Sequence, residues 1–215
     1  MIDSPFRLRQ LQITDSELVE GRAVQEVIRK STQLQVLSLA GNRISHDFIN
    51  DVYGALANND KLMLKVVDLA RNRINVQAVI KLSPLLDREQ YLGRSLRVLD
   101  LSQNKLQNIG CESLALALCH NERLLYLDVS YNELADRALY YLAEMLSHTT
   151  SLRYLAMIGN HFTSKVLFQL AKAICSNVRS QLQIMKMGLV ECSEIEMTKF
   201  IQNGLVFSSL HYLHI

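Results

Sequence analysis

Hydrophobic residues recur along this chain in one spaced phrase. The phrase is a Leu, two residues, an aliphatic residue, one residue and a second aliphatic residue, usually followed after two more residues by Asn. Copies of it begin 26 to 32 residues apart, at Leu8, Leu34, Leu64, Leu96, Leu124, Leu152, Leu182 and Leu210. A period of this length predicts a stacked array of similar units, because each unit buries its apolar faces only against its neighbours.

A second apolar period follows the phrase in each unit. Its residues recur at offsets of three, four and seven, which places them on one stripe of an α-helix. The clearest example is Cys111, Leu114, Ala115 and Leu118. Asn59, Asn121 and Asn177 follow such stripes, and we expect helices to end there on left-handed residues. Each unit is therefore predicted to be a short strand, a turn and a helix.

The Asn of the phrase has a physical explanation. A strand that turns sharply leaves backbone N–H and C=O groups without ladder partners, and such groups are costly when buried. An Asn side chain both donates and accepts hydrogen bonds, so stacked Asn residues can satisfy successive turns. The predicted ladder consists of Asn42, Asn72, Asn104, Asn132 and Asn160.

The unit resembles the ribonuclease-inhibitor-like subfamily of leucine-rich repeats, most clearly from Leu96 to Leu124. The resemblance implies an α/β solenoid, a horseshoe with parallel β-strands on the concave face and α-helices on the convex face. It also implies protein binding in most members and catalysis in few. We expect a single domain over residues 1–215, with about seven repeats and a terminal strand. The third repeat is longer and contains Pro84, so we expect its helix to bend or end there, with a local bulge on the convex side.

Residues between the aliphatic positions of each strand are expected to point out of the core and to stack into columns about 4.8 Å apart. The column before the second aliphatic position is apolar or aromatic from Val36 onwards. We predict that a partner binds along this column, at Val66, Val98, Tyr126, Tyr154, Ile184 and Tyr212. A continuous apolar patch is typical of a binding surface, and Tyr is a favoured anchor. Such residues also suit strands in general, which explains the valines better than the tyrosines.

The next column contains Asp68, Asp100 and Asp128. Like charges on adjacent strands destabilise each other, and a cationic partner would relieve that cost. Leu-Asp-Leu-Ser is also an ordinary form of this consensus, and water can solvate such a face. Both interpretations stay open, and the three residues join the predicted partner-binding set.

A basic group follows the strands, on the turns at Arg43, Arg71, Arg73 and Lys105. It offers a site for an acidic partner. Charges on loops are usually just solvated, however, and surface ion pairs contribute little.

Composition excludes several classes of function. A net charge of +2 gives no reason to expect nucleic acid or an anionic membrane as partner, and no apolar run is long enough to cross a bilayer. The four cysteines show no CxxC pairing, so we expect a reduced, intracellular, soluble protein.

Motifs for catalysis are missing as well. The sequence has no phosphate-binding loop, HExxH or GxSxG. His46, Asp47 and Asp51 are candidates for a metal site. They lie at the start of a predicted helix, however, and capping of that helix by Asp47 is the better explanation. We expect no enzyme, cofactor or metal.

The predicted function is therefore a non-enzymatic protein-interaction scaffold, or a subunit of a larger assembly. We expect it in the cytoplasm, with cytoskeletal, ciliary and centrosomal complexes as candidates. The alternative is GTPase activation, because the Ran GTPase-activating protein resembles this repeat subtype and acts through residues on its turns. Arg43, Arg71 and Arg73 are the candidates for that role.

The last residues read as half of an eighth repeat. Residues 209–215 form a strand phrase without the following turn and helix. An uncovered edge strand exposes unpaired backbone groups. We therefore expect that a neighbouring chain covers residues 205–215 or that the protein continues, and that the isolated chain self-associates.

Overall fold

Strands and helices alternate along the chain. The computed structural model describes residues 7–189, 195, 198 and 212–214. The strands in this part are β1 (Gln10–Gln12), β2 (Val36–Ser38), β3 (Val66–Asp68), β4 (Val98–Asp100), β5 (Tyr126–Asp128), β6 (Tyr154–Phe162), β7 (Ile184–Leu189) and β8 (Tyr212–His214). The helices are α1 (Arg22–Lys30), α2 (His46–Asn58), α3 (Val76–Leu82), α4 (Tyr91–Ser95), α5 (Gln107–Leu118), α6 (Asp136–His148) and α7 (Leu167–Ser176). Two 3₁₀ segments, Ser83–Leu86 and Ser164–Val166, extend this set.

The strands form one parallel sheet in chain order from β1 to β8. Each strand pairs with its neighbours in sequence, and equivalent positions of successive repeats lie opposite one another. Val66 is opposite Val98, and Val98 is opposite Tyr126. The predicted α/β solenoid is thus confirmed. We call the outward-pointing side of the sheet the concave face and the helical side the convex face.

One continuous hydrophobic core runs between the sheet and the helices, from Val24 to Met187. The aliphatic residues of the phrase build its sheet side, where Leu127 and Leu155 are fully buried. The stripe of α5 belongs to the same core, with Cys111 also fully buried. Burying a Leu side chain contributes about 1.5–3 kcal/mol, so the periodic positions supply most of the driving force for stacking.

The third repeat departs from the regular unit, as Pro84 predicted. Helix α3 ends at Leu82 and continues as a 3₁₀ segment with Pro84 at its start. Proline has no N–H to donate into an α-helix. The additional residues of this repeat form the short helix α4.

The turn after most strands passes through a left-handed residue directly before the Asn position. These residues have φ between 50° and 69° and are Asp15, Gly41, Arg71, Gln103, Tyr131 and Gly159. Gly159 is required for a further reason, because a Cβ on it would come within 2.2 Å of the Tyr131 ring. The ring of one repeat therefore lies directly over the glycine of the next.

The Asn residues of the phrase connect successive turns, and we call them the inner Asn ladder. Asn104 donates to the Leu69 carbonyl of the preceding repeat at 2.9 Å and to the Leu101 carbonyl of its own repeat at 3.0 Å. Its Oδ1 accepts the Ile74 N–H at 3.0 Å. Asn42, Asn72, Asn132 and Asn160 also donate to a carbonyl of the preceding repeat.

A second set of asparagines, the outer Asn ladder, lies where the helices end: Asn59, Asn121 and Asn177. The prediction of left-handed residues there is wrong. Asn59 and Asn177 have φ of −89° and −91°, and Asn121 has no positive φ either. Their side chains instead reach back to the previous repeat. Asn121 donates to the carbonyls of Leu86 at 2.7 Å and Gly93 at 3.1 Å.

The last described strand, β8, pairs in parallel with β7. Residues 205–211 and 215 lie outside the described residues. A neighbouring chain at this edge therefore stays a prediction.

Candidate protein-binding face

The apolar column lies on the concave face in the order that the sequence indicates. Val66, Val98, Tyr126, Tyr154 and Ile184 are opposite one another in register, and each is half-buried. The backbone of the next strand continues the column, since Tyr212 is opposite Ile184; the side chain of Tyr212 lies outside the described residues. The column therefore forms a partly exposed stripe on the concave face of the sheet.

Two tyrosines form the centre of this stripe. The Tyr126 and Tyr154 rings are stacked, with centroids 4.4 Å apart and planes inclined by 11°. The Nζ atom of Lys186 lies 5.5 Å from the centre of the Tyr154 ring, a cation–π distance. Stacked aromatic pairs such as Tyr126 and Tyr154 contribute about 0.5–1.5 kcal/mol beyond burial. The two rings therefore already contact each other in the free chain.

The acidic column has a structural role that its residue types did not reveal. Asp100 accepts the N–H of Ser102 at 2.9 Å. Asp68 and Asp128 accept the N–H two residues further on in the same way, at 3.1 and 2.8 Å. An Asp that bonds its own backbone two residues on forms a local turn. One oxygen of each carboxylate thus helps to end its strand.

The second oxygens have different surroundings. Asp68 Oδ2 accepts the Ser38 hydroxyl at 2.8 Å, and the Tyr126 hydroxyl donates to Asp128 Oδ2 over a long 3.4 Å. Burial raises the pKa of the Asp100 carboxyl, and the charges of Asp128 and Asp68 on either side raise it further. Burial and the neighbouring Asp128 and Asp100 carboxylates also raise the pKa of the Tyr126 hydroxyl. The centre of the column is therefore a place where negative charge is crowded.

Asp100→Asn should stabilise the free chain by about 1 kcal/mol at pH 7, because it removes a carboxylate charge that is partly buried and is also flanked by two like charges. The amide oxygen can still accept the Ser102 N–H. Since the folded-state pKa of Asp100 lies above its ordinary value of 3.8, wild-type stability falls as pH rises through the interval between the two values. The gain should therefore vanish at pH 3, as measured by urea unfolding at both pH values.

The control for this change is Glu122→Gln, at an exposed position outside the column. It should alter stability by less than about 0.5 kcal/mol at either pH. A wild-type protein more stable than Asp100→Asn at pH 7 would contradict crowding of charge at this column.

Two of the four basic turn residues have carboxylate partners. Arg43 lies 2.6 Å from Glu17, and Arg71 lies 2.9 Å from Asp15. All four side chains are largely exposed, so these pairs contribute little to stability. The carboxylates nevertheless offset the positive charge of Arg43 and Arg71, which an acidic partner would need.

The remaining residues considered for metal binding or reactivity lie in structural surroundings. No group of three His, Cys, Asp or Glu side chains within the described residues is arranged to hold a metal ion. Asp51 accepts the Gly21 N–H at 3.0 Å. The prediction that Asp47 caps α2 is wrong, because Ser45 is the cap residue and Asp47 lies in the first turn. Burial raises the pKa of the Cys111 thiol to about 12, so that thiol stays protonated and unreactive.

No helix in the described part of the chain combines the length and the apolar character that a membrane span needs.

Exposed aromatic residues also occur away from the strand columns. Tyr140 on α6 and Phe168 on α7 are 50% and 66% exposed, and they occupy equivalent positions of successive repeats. Tyr131, on the turn after β5, is 54% exposed, and its ring lies over Gly159 of the next repeat. The phrase pattern did not reveal these residues, because they lie outside its consensus positions.

Comparisons with known proteins agree on the fold. A leucine-rich repeat family model matches residues 94–115 and 120–143. No curated protein matches the sequence. The chain is similar to the solved actin-binding site 2 of leiomodin-1, at 15% identity over 64% of this chain and 77% of that one, with a TM-score of 0.54.

Two further solved structures have lower scores. One is the C-terminal domain of tropomodulin from Caenorhabditis elegans, at 18% identity over 65% of this chain and 81% of that one, with a TM-score of 0.47. The other is an internalin from Listeria monocytogenes, at 18% identity over 97% of this chain and 60% of that one, with a TM-score of 0.48. Assignment to the ribonuclease-inhibitor-like subfamily stays a prediction.

Proposed function

We propose that this leucine-rich repeat protein is a non-enzymatic interaction module, a scaffold or subunit that holds a partner protein on its concave face around Tyr126, Tyr154 and Asp128. The observation that carries the proposal is the stacked tyrosine pair at the centre of a half-buried apolar column, beside three carboxylates. Large aromatic side chains at the middle of a patch are the usual anchors of protein interfaces.

The core does not need these side chains. The fully buried aliphatic residues on the other side of each strand, such as Leu127 and Leu155, already pack against the helices. The apolar column on the opposite, concave side of the sheet therefore stabilises the chain only through contacts among its own side chains. Contact with a partner would remove its remaining exposed area from water, which is favourable in proportion to that area. The ordered stack also limits the conformational entropy lost on binding.

A cytoskeletal partner is the first class to test. Leiomodin-1, whose actin-binding site 2 has a similar fold, makes an actin-associated complex in the cytoplasm a concrete starting point. Ciliary and centrosomal complexes follow as further candidates.

GTPase activation has less support. An activating arginine must reach the phosphate groups of the nucleotide. Arg43 and Arg71, two of the three candidates, each contact a carboxylate on the preceding turns. We therefore retain the interaction module as the function of the concave face.

The double change Tyr126→Ala, Tyr154→Ala should weaken partner binding at least about thirtyfold, because truncating one buried aromatic anchor already costs about 2 kcal/mol. The matched control is Tyr140→Ala, Phe168→Ala, which removes two exposed aromatic side chains from the helices. Proteins retrieved from native cells by the wild-type chain and both variants are compared by mass spectrometry. Those that differ are then titrated as purified proteins.

The proposal requires that the control variant retrieves the wild-type set and the concave variant does not. Equal retrieval by all three chains would place the interface elsewhere. Loss in the control variant alone would move it to the convex face. Circular dichroism and urea unfolding of each variant establish that any loss comes from the surface and not from the fold.

A further inference from the structure

Two parallel columns define what shape the concave face accepts. The apolar column crosses six strands, from Val36 on β2 to Ile184 on β7. The acidic column runs beside it on β3 to β5. With about 4.8 Å between neighbouring strands, the apolar column is about 24 Å long, and residues two apart along a strand separate the columns by about 6.6 Å. A partner therefore meets one long apolar stripe and one shorter acidic stripe.

The sheet offers no backbone hydrogen bonds to a partner on this face. Each strand from β2 to β7 is paired on both sides, so its N–H and C=O groups are engaged within the sheet. An extended segment placed across the strands would have to leave its own backbone groups to water, or bury them unpaired at a cost. An α-helix satisfies its backbone groups internally, and only its side chains need partners.

The spacing of the columns also suits a helix. One helical turn rises 5.4 Å, close to the strand separation of about 4.8 Å, so a helix lying across the strands can place about one side chain on each. Alternate residues of an extended segment are about 6.6 Å apart and fall out of step after two strands. About 16 helical residues span the 24 Å of the apolar column.

The acidic column determines which charges one flank of such a helix should carry. Asp68, Asp100 and Asp128 occupy three successive strands and would face two or three cations spaced one turn apart. The acidic part of the column therefore covers three of the six strands, and Ala156 takes the equivalent position on the next strand.

We infer, on the basis of the proposed function, that the partner segment is an amphipathic α-helix of about 16 residues lying across β2 to β7. Its apolar stripe covers the Tyr126–Tyr154 stack, and Lys or Arg residues on one flank meet Asp68, Asp100 and Asp128.

Peptide binding to the full chain tests this inference. A displayed peptide library contains three classes of 16-residue peptide. The classes have the same apolar content and the same number of members. The first has helical apolar spacing and a basic flank, the second has helical spacing and an acidic flank, and the third alternates apolar and basic residues. Selected peptides are then titrated by fluorescence anisotropy at two salt concentrations.

The first class should bind at least about tenfold more tightly than the others, and more weakly at high salt. Its affinity should fall at least about tenfold with Asp100→Asn, Asp128→Asn and with Tyr126→Ala, Tyr154→Ala, but not with Tyr140→Ala, Phe168→Ala.

The outcomes separate the inference from the function on which it rests. Preferential binding of the acidic or alternating class, or no binding of the basic helical class, overturns the helix. The proposed function then still depends on whether Tyr126→Ala, Tyr154→Ala loses the cellular partner. If the cellular partner is kept by that variant, the proposed function fails, whatever the peptides do.

Discussion

Asn104→Leu should lower the free energy of unfolding by about 3 kcal/mol, the upper part of the range for leaving buried polar groups unsatisfied. The Asn104 side chain bonds the carbonyls of Leu69 and Leu101 and the N–H of Ile74. It is only 5% exposed, so water cannot replace these bonds. Leu has nearly the same size and shape, which leaves lost hydrogen bonding as the main effect. Urea unfolding followed by circular dichroism measures the change.

The control lies one residue further along the chain. Lys105→Ala removes an exposed side chain, while the Lys105 backbone N–H keeps its bond to the Ile74 carbonyl. Its effect should stay within about 0.5 kcal/mol. Similar losses from the two changes would mean that the turn is not held by the Asn side chain.

Asn121→Leu should be equally damaging, with a loss of about 3 kcal/mol. Its Nδ2 bonds the carbonyls of Leu86 and Gly93 in the preceding repeat, and its Oδ1 accepts the N–H of Leu124 at 2.8 Å. With 2% of its surface exposed, it connects two repeats on the convex side as Asn104 does at the strand turns. The measurement is again urea unfolding.

Asn58→Leu is the matched control for this second change. Asn58 also ends a helix and donates to a backbone carbonyl, that of Gly54 at 2.9 Å. It is exposed, and its bond lies within one helix, so we expect a change within about 0.5 kcal/mol. If Asn121→Leu were as mild as Asn58→Leu, the outer Asn ladder would not contribute to stacking of the repeats.

The sequence by itself determined the order of elements, the buried positions and the columns of the concave face. These follow from spacing alone. Once Leu96, Leu99 and Leu101 face the core, the pleat of a strand sends Val98 and Asp100 to the other side, and stacking of equal units aligns them with Tyr126 and Asp128. The reason is that each repeat contacts only its neighbours, so the architecture repeats a local rule.

The tertiary structure alone decided what individual side chains do within that frame. The reach of Asn121 to Leu86 and Gly93, and the ring of Tyr131 over Gly159, each join residues from different repeats. So does the stacking of Tyr126 on Tyr154. Periodicity says which repeats are neighbours, but a hydrogen bond or a ring contact depends on side-chain torsions and on distances of a few tenths of an ångström. Those are set only when the repeats pack together.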